Sequence, residues 1–454
     1  MDIKRVVLAG FVSLFLMAGP VQAGDEQHNS GDSLVLDMKD AVKMGLDRSH
    51  RVQAHDYGIK RSESEVKSVR GQFFPQLSAG AGYTYLDSLS ARGPTDQDYL
   101  DQQQYQWNLR AVQTVFAGMT ILSSYQQAQI EKEISELEKE NTERELIREI
   151  QHHFLELLKA REDRRALDSS VERLEVGLEA SESFYERQLV PYVDVLQAGV
   201  ELEEARQDLS QAKNEEQIQK TQLNALLGFG YDYLIGYEGD LEEIPLDIFF
   251  ETREVIDIAM EQRTDLMFIR KNMAVTEQER RIARGQKMPR INLEFVYTDS
   301  KRDYDEPQQT MEGPMDRDQR NRYWTAGANI EWEFFSGGQQ YYQHEAMGYE
   351  IRRLVQTLKE TESSIVTEVR TAQMRLDEAR DRLVSTRKAL NAAQENYDMQ
   401  EHRYKQRVGT ITDLLTAQEH LTEAETRNNQ ALMDFQQALS ELYFAIGERN
   451  YGLD

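Results

Sequence analysis

The chain has 454 residues, 39% of them hydrophobic and 29% charged, with a mean hydropathy of −0.68. Its 80 acidic against 53 basic residues leave a net charge of −27, a field that repels phosphate backbones and excludes nucleic acid as a partner. Cysteine is absent, which excludes disulfides, thiolate metal sites and a cysteine nucleophile.

The N-terminus reads as an address. Lys4 and Arg5 precede an apolar run from Val6 to Gly19, and Val21-Gln22-Ala23 closes it with a small residue. This pattern predicts a secretory signal peptide over 1–23, cut after Ala23, with an N-terminal anchor helix as the alternative. Past this point no stretch reaches the ~18 consecutive apolar residues of a spanning helix.

The remainder is internally repeated. Arg70-Gly71-Gln72, Pro75, Tyr83 and Thr84 recur as Arg284-Gly285-Gln286, Pro289, Tyr297 and Thr298, an offset of 214. Tyr185, Asp194, Leu196, Ala198, Leu223 and Gly228 recur as Tyr404, Asp413, Leu415, Ala417, Leu442 and Gly447, an offset of 219. A five-residue insertion around 300–323 accounts for the difference. A tandem duplication is therefore expected, 24–252 and 253–454, each half one structural unit.

Each half predicts a helix, two strands, a very long helix and a second helix. In the first half these are helix 39–71, strands 75–88 and 105–116, and helices 118–188 and 190–228, followed by a segment 229–252. The second half gives helix 253–285, strands 289–300 and 323–335, and helices 337–407 and 409–447. Residues 118–188 contain no proline, and Ile130, Ile134, Leu137, Leu146, Ile150, Phe154 and Leu157 fall mostly three or four apart. At 1.5 Å per residue such a helix is roughly 105 Å long, more than a compact domain needs. Its thin apolar stripe calls for neighbours, as in a coiled-coil assembly.

The strands alternate. Leu77, Ala79, Ala81, Tyr83 and Tyr85 interleave with Gln76, Ser78, Gly80, Gly82 and Thr84. Trp107, Leu109 and Ala111 do so in the second strand, with Val112 and Gln113 out of phase. Ile291, Leu293, Phe295 and Tyr297 follow in the third, and Trp324, Ala326, Ala328, Ile330, Trp332 and Phe334 in the fourth. A half-buried soluble sheet or a lipid-facing barrel both give this pattern. Length near the ~9–11 residues of a tilted spanning strand, and all three tryptophans on the apolar face, favour the barrel. Tyr83, Tyr85, Trp107, Tyr297, Trp324 and Trp332 then form the membrane-interface aromatics. Four strands cannot close a barrel, so several chains must contribute, two giving eight strands and three giving twelve. The polar segments 89–104 and 300–323 become outer loops.

This plan, with Pro75 and Pro289 before strands, Phe116-Ala117-Gly118 and Phe335-Ser336-Gly337 after them, Asp194-Val195-Leu196-Gln197-Ala198, Val408-Gly409-Thr410 and Asp413-Leu414-Leu415-Thr416-Ala417-Gln418, resembles the TolC-like outer-membrane efflux proteins. The resemblance covers essentially the whole mature chain. It implies an α+β membrane protein: a homotrimer with a twelve-stranded transmembrane β-barrel, four strands per chain, and a long α-helical coiled-coil barrel through the periplasm. It also implies an exit duct in the cell outer membrane, for small-molecule efflux or type I secretion, joined to a periplasmic adaptor (membrane fusion) protein and an inner-membrane pump or ABC transporter. No cofactor or metal is implied.

The resemblance places Asp413 in the periplasmic constriction, where three copies form an acidic ring; the second acidic position of the family is Thr416 here. Helix capping is the other role open to Asp413, and the expected one for Asp194. Leu189, Val190, Pro191, Val408, Gly409 and Thr410 correspond to the adaptor-facing tips, glycine allowing a tight turn. Where the family carries a glycine three residues after the tyrosine, this chain has Gln188 and Arg407. The eight histidines have no metal-ligand spacing, and no catalytic constellation is apparent, so no enzymatic activity is expected. A non-pore coiled-coil scaffold of the periplasm or cell surface is the alternative function.

Overall fold

The computed structural model describes residues 34–86, 102–230, 235–239, 241, 250–304, 308–310, 313–315 and 319–448. The signal segment 1–23 lies outside them, as do parts of the expected loops and of 229–252. Strand β1 (Leu34–Leu36) leads into helices α1 (Met38–Arg48) and α2 (His50–Arg70), strands β2 (Gln76–Leu86) and β3 (Gln102–Ala117), and helices α3 (Thr120–Glu186) and α4 (Tyr192–Leu226). Then come β4 (Ile235–Tyr237), α5 (Thr252–Gln262), α6 (Thr264–Gly285), β5 (Arg290–Tyr304) and the short hairpin β6 (Gln308–Thr310) and β7 (Gly313–Met315). Strand β8 (Gln319–Glu331) and helices α7 (Gln339–Lys405) and α8 (Ile411–Ile446) complete the chain.

The element boundaries carry the spacing seen in the residues. Met38 and Thr252 open α1 and α5, and His50 and Thr264 open α2 and α6, both pairs 214 apart. Helices α3 and α7 have 67 residues each and start 219 apart, as do α4 and α8. Burial follows suit: Leu146 and Ile365, Ile150 and Val369, Leu157 and Leu376, and Leu223 and Leu442 are all buried. One core gathers α1, α3 and the end of α4 with β1 and β4; another gathers α5, α6, α7 and the end of α8. Helices α4 and α8 end alike, at Gly228 (φ 74°) and Gly447 (φ 80°), left-handed residues that fold the chain back on the last carbonyls.

The first helix of each half is broken, where the sequence predicts it continuous. Ser49 (ψ 120°) ends α1 and turns its hydroxyl to accept from the Val52 amide at 3.4 Å. Arg263 (ψ 122°) makes the matching break in the second half. Its guanidinium donates to the Ala445 carbonyl at 3.1 Å and pairs with Asp265 and Glu368 at 2.8 and 2.9 Å. These bonds raise its pKa above the usual guanidinium value although burial opposes them. A single long-range side-chain clasp, invisible to periodicity, thus fixes the break.

Four strands form one antiparallel sheet in the order β2-β3-β5-β8. Register places Ala81 opposite Trp107, Leu109 opposite Tyr297, and Tyr297 opposite Trp324, so the alternations of all four strands share one apolar face. The opposite face is polar: Arg110 pairs with Glu294 at 2.5 Å, and Thr114 donates to Asn292 at 2.8 Å. The out-of-phase Val112 and Gln113 precede a bulge between Thr114 and Phe116, which brings Phe116 opposite Ile291 and restores an apolar pair. Three differences from expectation concern the strands, two of them at strand ends. Strands β3, β5 and β8 run into the segments expected as loops, because strands beyond the apolar band are wet on both faces and lose alternation. Strand β8 stops at Glu331, so Trp332 lies past it, its indole donating to the Lys287 carbonyl at 3.1 Å. The three-residue strands β1 and β4 pair in parallel and are too short to leave a sequence pattern.

Sheet and helices meet at a corner where Gly118 (φ 61°) touches Gly285. A Cβ on either would lie 2.2 Å from the other's carbonyl oxygen. Gly285→Ala should therefore destabilise the protein by about 1–3 kcal/mol through overpacking against backbone, read as a lowered midpoint of thermal unfolding in detergent.

Candidate functional site

The tips of the two helical hairpins, α3–α4 and α7–α8, lie at the end of the molecule away from the sheet. Their turns are built alike. The Leu189 amide donates to the Phe184 carbonyl and the Val408 amide to the Arg403 carbonyl, each at 2.9 Å, closing a six-residue helix-terminal loop. The left-handed residue that this loop requires is Gln188 (φ 60°) in one turn and Arg407 (φ 64°) in the other. The glycine of the second turn does not supply it: Gly409 has no positive φ, and is instead crowded, a Cβ there falling 3.1 Å from that of Arg403.

The helix starts differ, and this decides between the two aspartates. Thr410 caps α8, its hydroxyl accepting from the Asp413 amide at 3.1 Å while the Asp413 carboxylate accepts from the Thr410 amide at 3.3 Å. This capping box holds the Asp413 pKa below the ordinary aspartate value, through its bonds to Thr410, and leaves the side chain exposed. The expected cap by Asp194 is not formed. Pro191 is the N-cap of α4, and it has neither a hydroxyl to accept from Asp194 nor an N–H to donate to it. Asp194 keeps only its place in the first turn, where a carboxylate suits the helix dipole.

The hairpins are locked together just above the tips. Tyr404 is buried and shares a 2.7 Å hydrogen bond with Ser181, its ring edge-on to Phe184. The Arg407 guanidinium lies over the Phe184 ring at 5.5 Å. Higher up, Arg173 donates to Gln418 at 2.9 Å and pairs with Glu425 at 3.0 Å.

Of the expected tip residues, Leu189, Pro191, Val408 and Thr410 are exposed, while Val190 and Gly409 are half-buried. The structure adds residues that sequence reading missed. Tyr192, Leu196 and Val200 form an exposed apolar stripe on α4, beside the buried stripe of Ala198, Leu202, Ala205 and Leu209. A second apolar series at spacing four was the available signal, hidden by the first. Leu196 and Val200 line a groove of about 300 Å³ with Glu201 of α4 and Thr412, Leu415, Thr416 and Glu419 of α8. Partial burial raises the Glu201 pKa, with Glu204 and Glu419 adding to the effect.

At the other end, Tyr83, Tyr85, Trp107, Tyr297 and Trp324 share the apolar face of the sheet, with Trp107 packed on Tyr297 at 5.3 Å and Tyr83 on Tyr105 at 5.0 Å. Trp324 is 65% exposed and Leu77 81%, so this face is bare in the single chain. No helix among the described residues is long and apolar enough to cross a membrane, and none of their His, Asp and Glu groups could hold a metal ion.

Left-handed backbone costs a non-glycine residue ~1–2 kcal/mol, and glycine's greater freedom when unfolded returns ~0.5–1 of that. Gln188→Gly should thus stabilise by about 0.5–1 kcal/mol. Arg407→Gly should be close to neutral, because it also forfeits about 0.5–1 kcal/mol of contact with Phe184. Hydrogen exchange of the two turns checks the contrast.

The family profile for outer membrane efflux proteins matches residues 41–229 and 255–448. No curated protein sequence matches the chain. Among solved structures, the outer-membrane channel OprN is 17% identical with a TM-score of 0.74, over 91% of this chain and 90% of that one. The CmeC outer membrane channel of Campylobacter jejuni is 14% identical with a TM-score of 0.74, over 90% and 85%. The outer membrane protein VceC of Vibrio cholerae is 18% identical with a TM-score of 0.70, over 90% and 96%. At these identities the structures establish the fold, and the profile match across most of the chain establishes the family. The chain belongs to the outer membrane efflux protein family.

Proposed function

We propose that the chain acts as a homotrimeric exit duct, with twelve strands closing a barrel and the long helices forming a tunnel through the periplasm. One observation carries the reading: the sheet has a bare apolar face, a polar face with charges, and two unpaired edges, β2 and β8. An open edge in hydrocarbon leaves backbone groups unsatisfied at several kcal/mol each. A second copy offers the complement, β8 of one chain against β2 of the next. The tips dock to a periplasmic adaptor through Leu189, Val190, Pro191, Val408, Gly409, Thr410 and the α4 stripe, and the adaptor couples the duct to an inner-membrane pump or ABC transporter. The cargo is small molecules in efflux or a protein in type I secretion, the duct being common to both. With no nucleotide site of its own, the duct draws its energy from that pump.

The internal spacing names the contacts between copies. Within the chain, α6 of the second half packs on α3 of the first: Thr264 donates to Asn141 at 3.1 Å, Lys271 pairs with Glu133, and Gly118 meets Gly285. Moving each residue by its offset gives His50 with Glu360, Tyr57 with Arg352, and Gly337 with Gly71. In the single chain His50, Glu360 and Tyr57 are exposed, and Gly71 and Gly337 have open space where a Cβ would stand. These surfaces await a neighbour.

Since the chain has no cysteine, introduced pairs report cleanly. Oxidation of His50→Cys/Glu360→Cys should yield covalent trimers in the membrane, whereas Asn141→Cys/Thr264→Cys should close within one chain. Monomers alone from the first pair would overturn the assembly.

Three Asp413 carboxylates at the tunnel mouth would favour cations. Asp413→Asn should lower cation preference in planar bilayers without changing assembly; unchanged reversal potentials would remove the ring. Because its bonds to Thr410 hold the Asp413 pKa below the ordinary aspartate value in the single chain, the stability that its ionised form lends to α8 is present above that value and is lost as pH falls through the depressed one. Helicity followed by circular dichroism across the acid range checks the sign.

A further inference from the structure

We propose that the outer end of the sheet's apolar face is a binding site for the phosphate groups of an outer-leaflet glycolipid, held by Arg320, Arg322 and Lys301. The inference rests on the barrel reading above and adds a ligand to its outer surface.

Register defines the place. On the apolar face Asp299 stands opposite Arg322 on one side and Trp107 on the other, and Lys301 stands opposite Arg320 and Tyr105. The neighbouring row towards the helices is Leu109, Tyr297 and Trp324. The cations therefore begin about 7 Å beyond the Tyr297–Trp324 pair, at 3.3–3.4 Å per residue. Aromatic side chains of this kind sit at the lipid–water boundary, and charges one or two rows further out sit among head groups. Strand β5 starts at the helical end and runs away from it, so this is the external end of the sheet.

The distribution is one-sided. Among the described strand residues on the apolar face, every charged one, Asp299, Lys301, Asp303, Arg320 and Arg322, lies at this end. At this end of the sheet, from Asp299 outward, only Arg302 among the described charged residues lies on the polar face, and the other five lie on the apolar one.

The cluster is also built rather than loose. The Asp299 side chain is only 6% exposed, and it accepts from Arg320 Nε at 3.1 Å and Nη2 at 2.7 Å, and from Arg322 Nε at 3.2 Å. One carboxylate thereby orients two guanidiniums. Each has five N–H donors, so most remain available, and the two side chains are 54% and 55% exposed. Lys301 pairs with Asp303 at 2.6 Å alongside. Among the described residues of the cluster, three cations stand against two carboxylates, in a chain of charge −27. Guanidinium forks of fixed orientation match phosphate oxygens in a way that a mobile ammonium does not. The apolar rows below, Leu109, Tyr297 and Trp324 and then Phe295 and Ala326, offer a surface for acyl chains, so head group and tail are both provided for. That combination fits a phosphorylated lipid better than free phosphate.

Full-length protein extracted from outer membranes, depleted of lipid and titrated with bis-phosphorylated lipid A, tests this through tryptophan fluorescence, Trp107 and Trp324 lying beside the site. Arg320→Gln/Arg322→Gln should raise the half-saturation point about tenfold. Lipid A stripped of its phosphates should bind both proteins equally and weakly, and Arg110→Gln on the polar face should change nothing. Inorganic phosphate at high concentration should fail to displace the lipid; effective displacement would make this a small-anion site and overturn the lipid assignment. If the double variant does not assemble, Arg322→Gln alone leaves Asp299 its bonds from Arg320 and should weaken binding about threefold. Equal affinity of the substituted and unsubstituted proteins overturns the proposal. Loss of the barrel reading would register separately, as absence of the protein from the outer-membrane fraction before any lipid is added.

Discussion

A strand in hydrocarbon must find a partner for every backbone amide and carbonyl, because no water is there to take their place. The four-stranded sheet meets that demand internally and fails it at β2 and β8. The rest of the molecule can be read as a consequence. On the proposed reading, a sheet left open at both edges is closed by copies of the same chain. Helices hung beneath such a sheet then need only the burial that a shared wall provides. This explains helices of 67 residues whose buried positions are sparse and gathered into separate clusters.

The helical end answers to a different physics. There water is plentiful, and turns can be held by capping and by aromatic packing instead of by sheet pairing. The two hairpin tips have the same backbone path but not the same chemistry. A proline opens one returning helix and a threonine–aspartate capping box opens the other. In the groove between them, α4 shows Val200 where its repeat partner on α8 is Glu419, while each wall carries one leucine, Leu196 or Leu415, and one glutamate, Glu201 or Glu419. The Arg407–Phe184 and Tyr404–Ser181 contacts tie these unlike halves together at the point where the tunnel would narrow.

Much of this was legible in the residues themselves. Period-two alternation placed all four sheet strands and their faces, because one face is apolar along the part of each strand nearer the helices. The helix pairs followed from long proline-free stretches and recurrent spacing. What escaped was of three physical kinds. Breaks at Ser49 and Arg263 depend on ψ at one residue, and in the second case on a guanidinium reaching helices far away in sequence. The left-handed positions fell on Gln188 and Arg407, residue types that do not advertise a turn. Asp194 resembled a cap because its repeat partner, Asp413, takes part in one; the difference lay three residues earlier, in Pro191 against Thr410. Strand ends were misplaced where solvent wets both faces and alternation ceases to carry information.

The halves are offset by 214 residues before the insertion and 219 after it, and that small asymmetry reaches beyond architecture. In the proposed trimer, any single mutation would be displayed three times around the wall, once in each copy. Each half can therefore drift under its own selection while the other preserves the circumference. One half can hold the common frame as its twin tries new contacts with loops, lipids or partners. Such a gene can explore novelty at half of its surface without ever risking the whole ring at once.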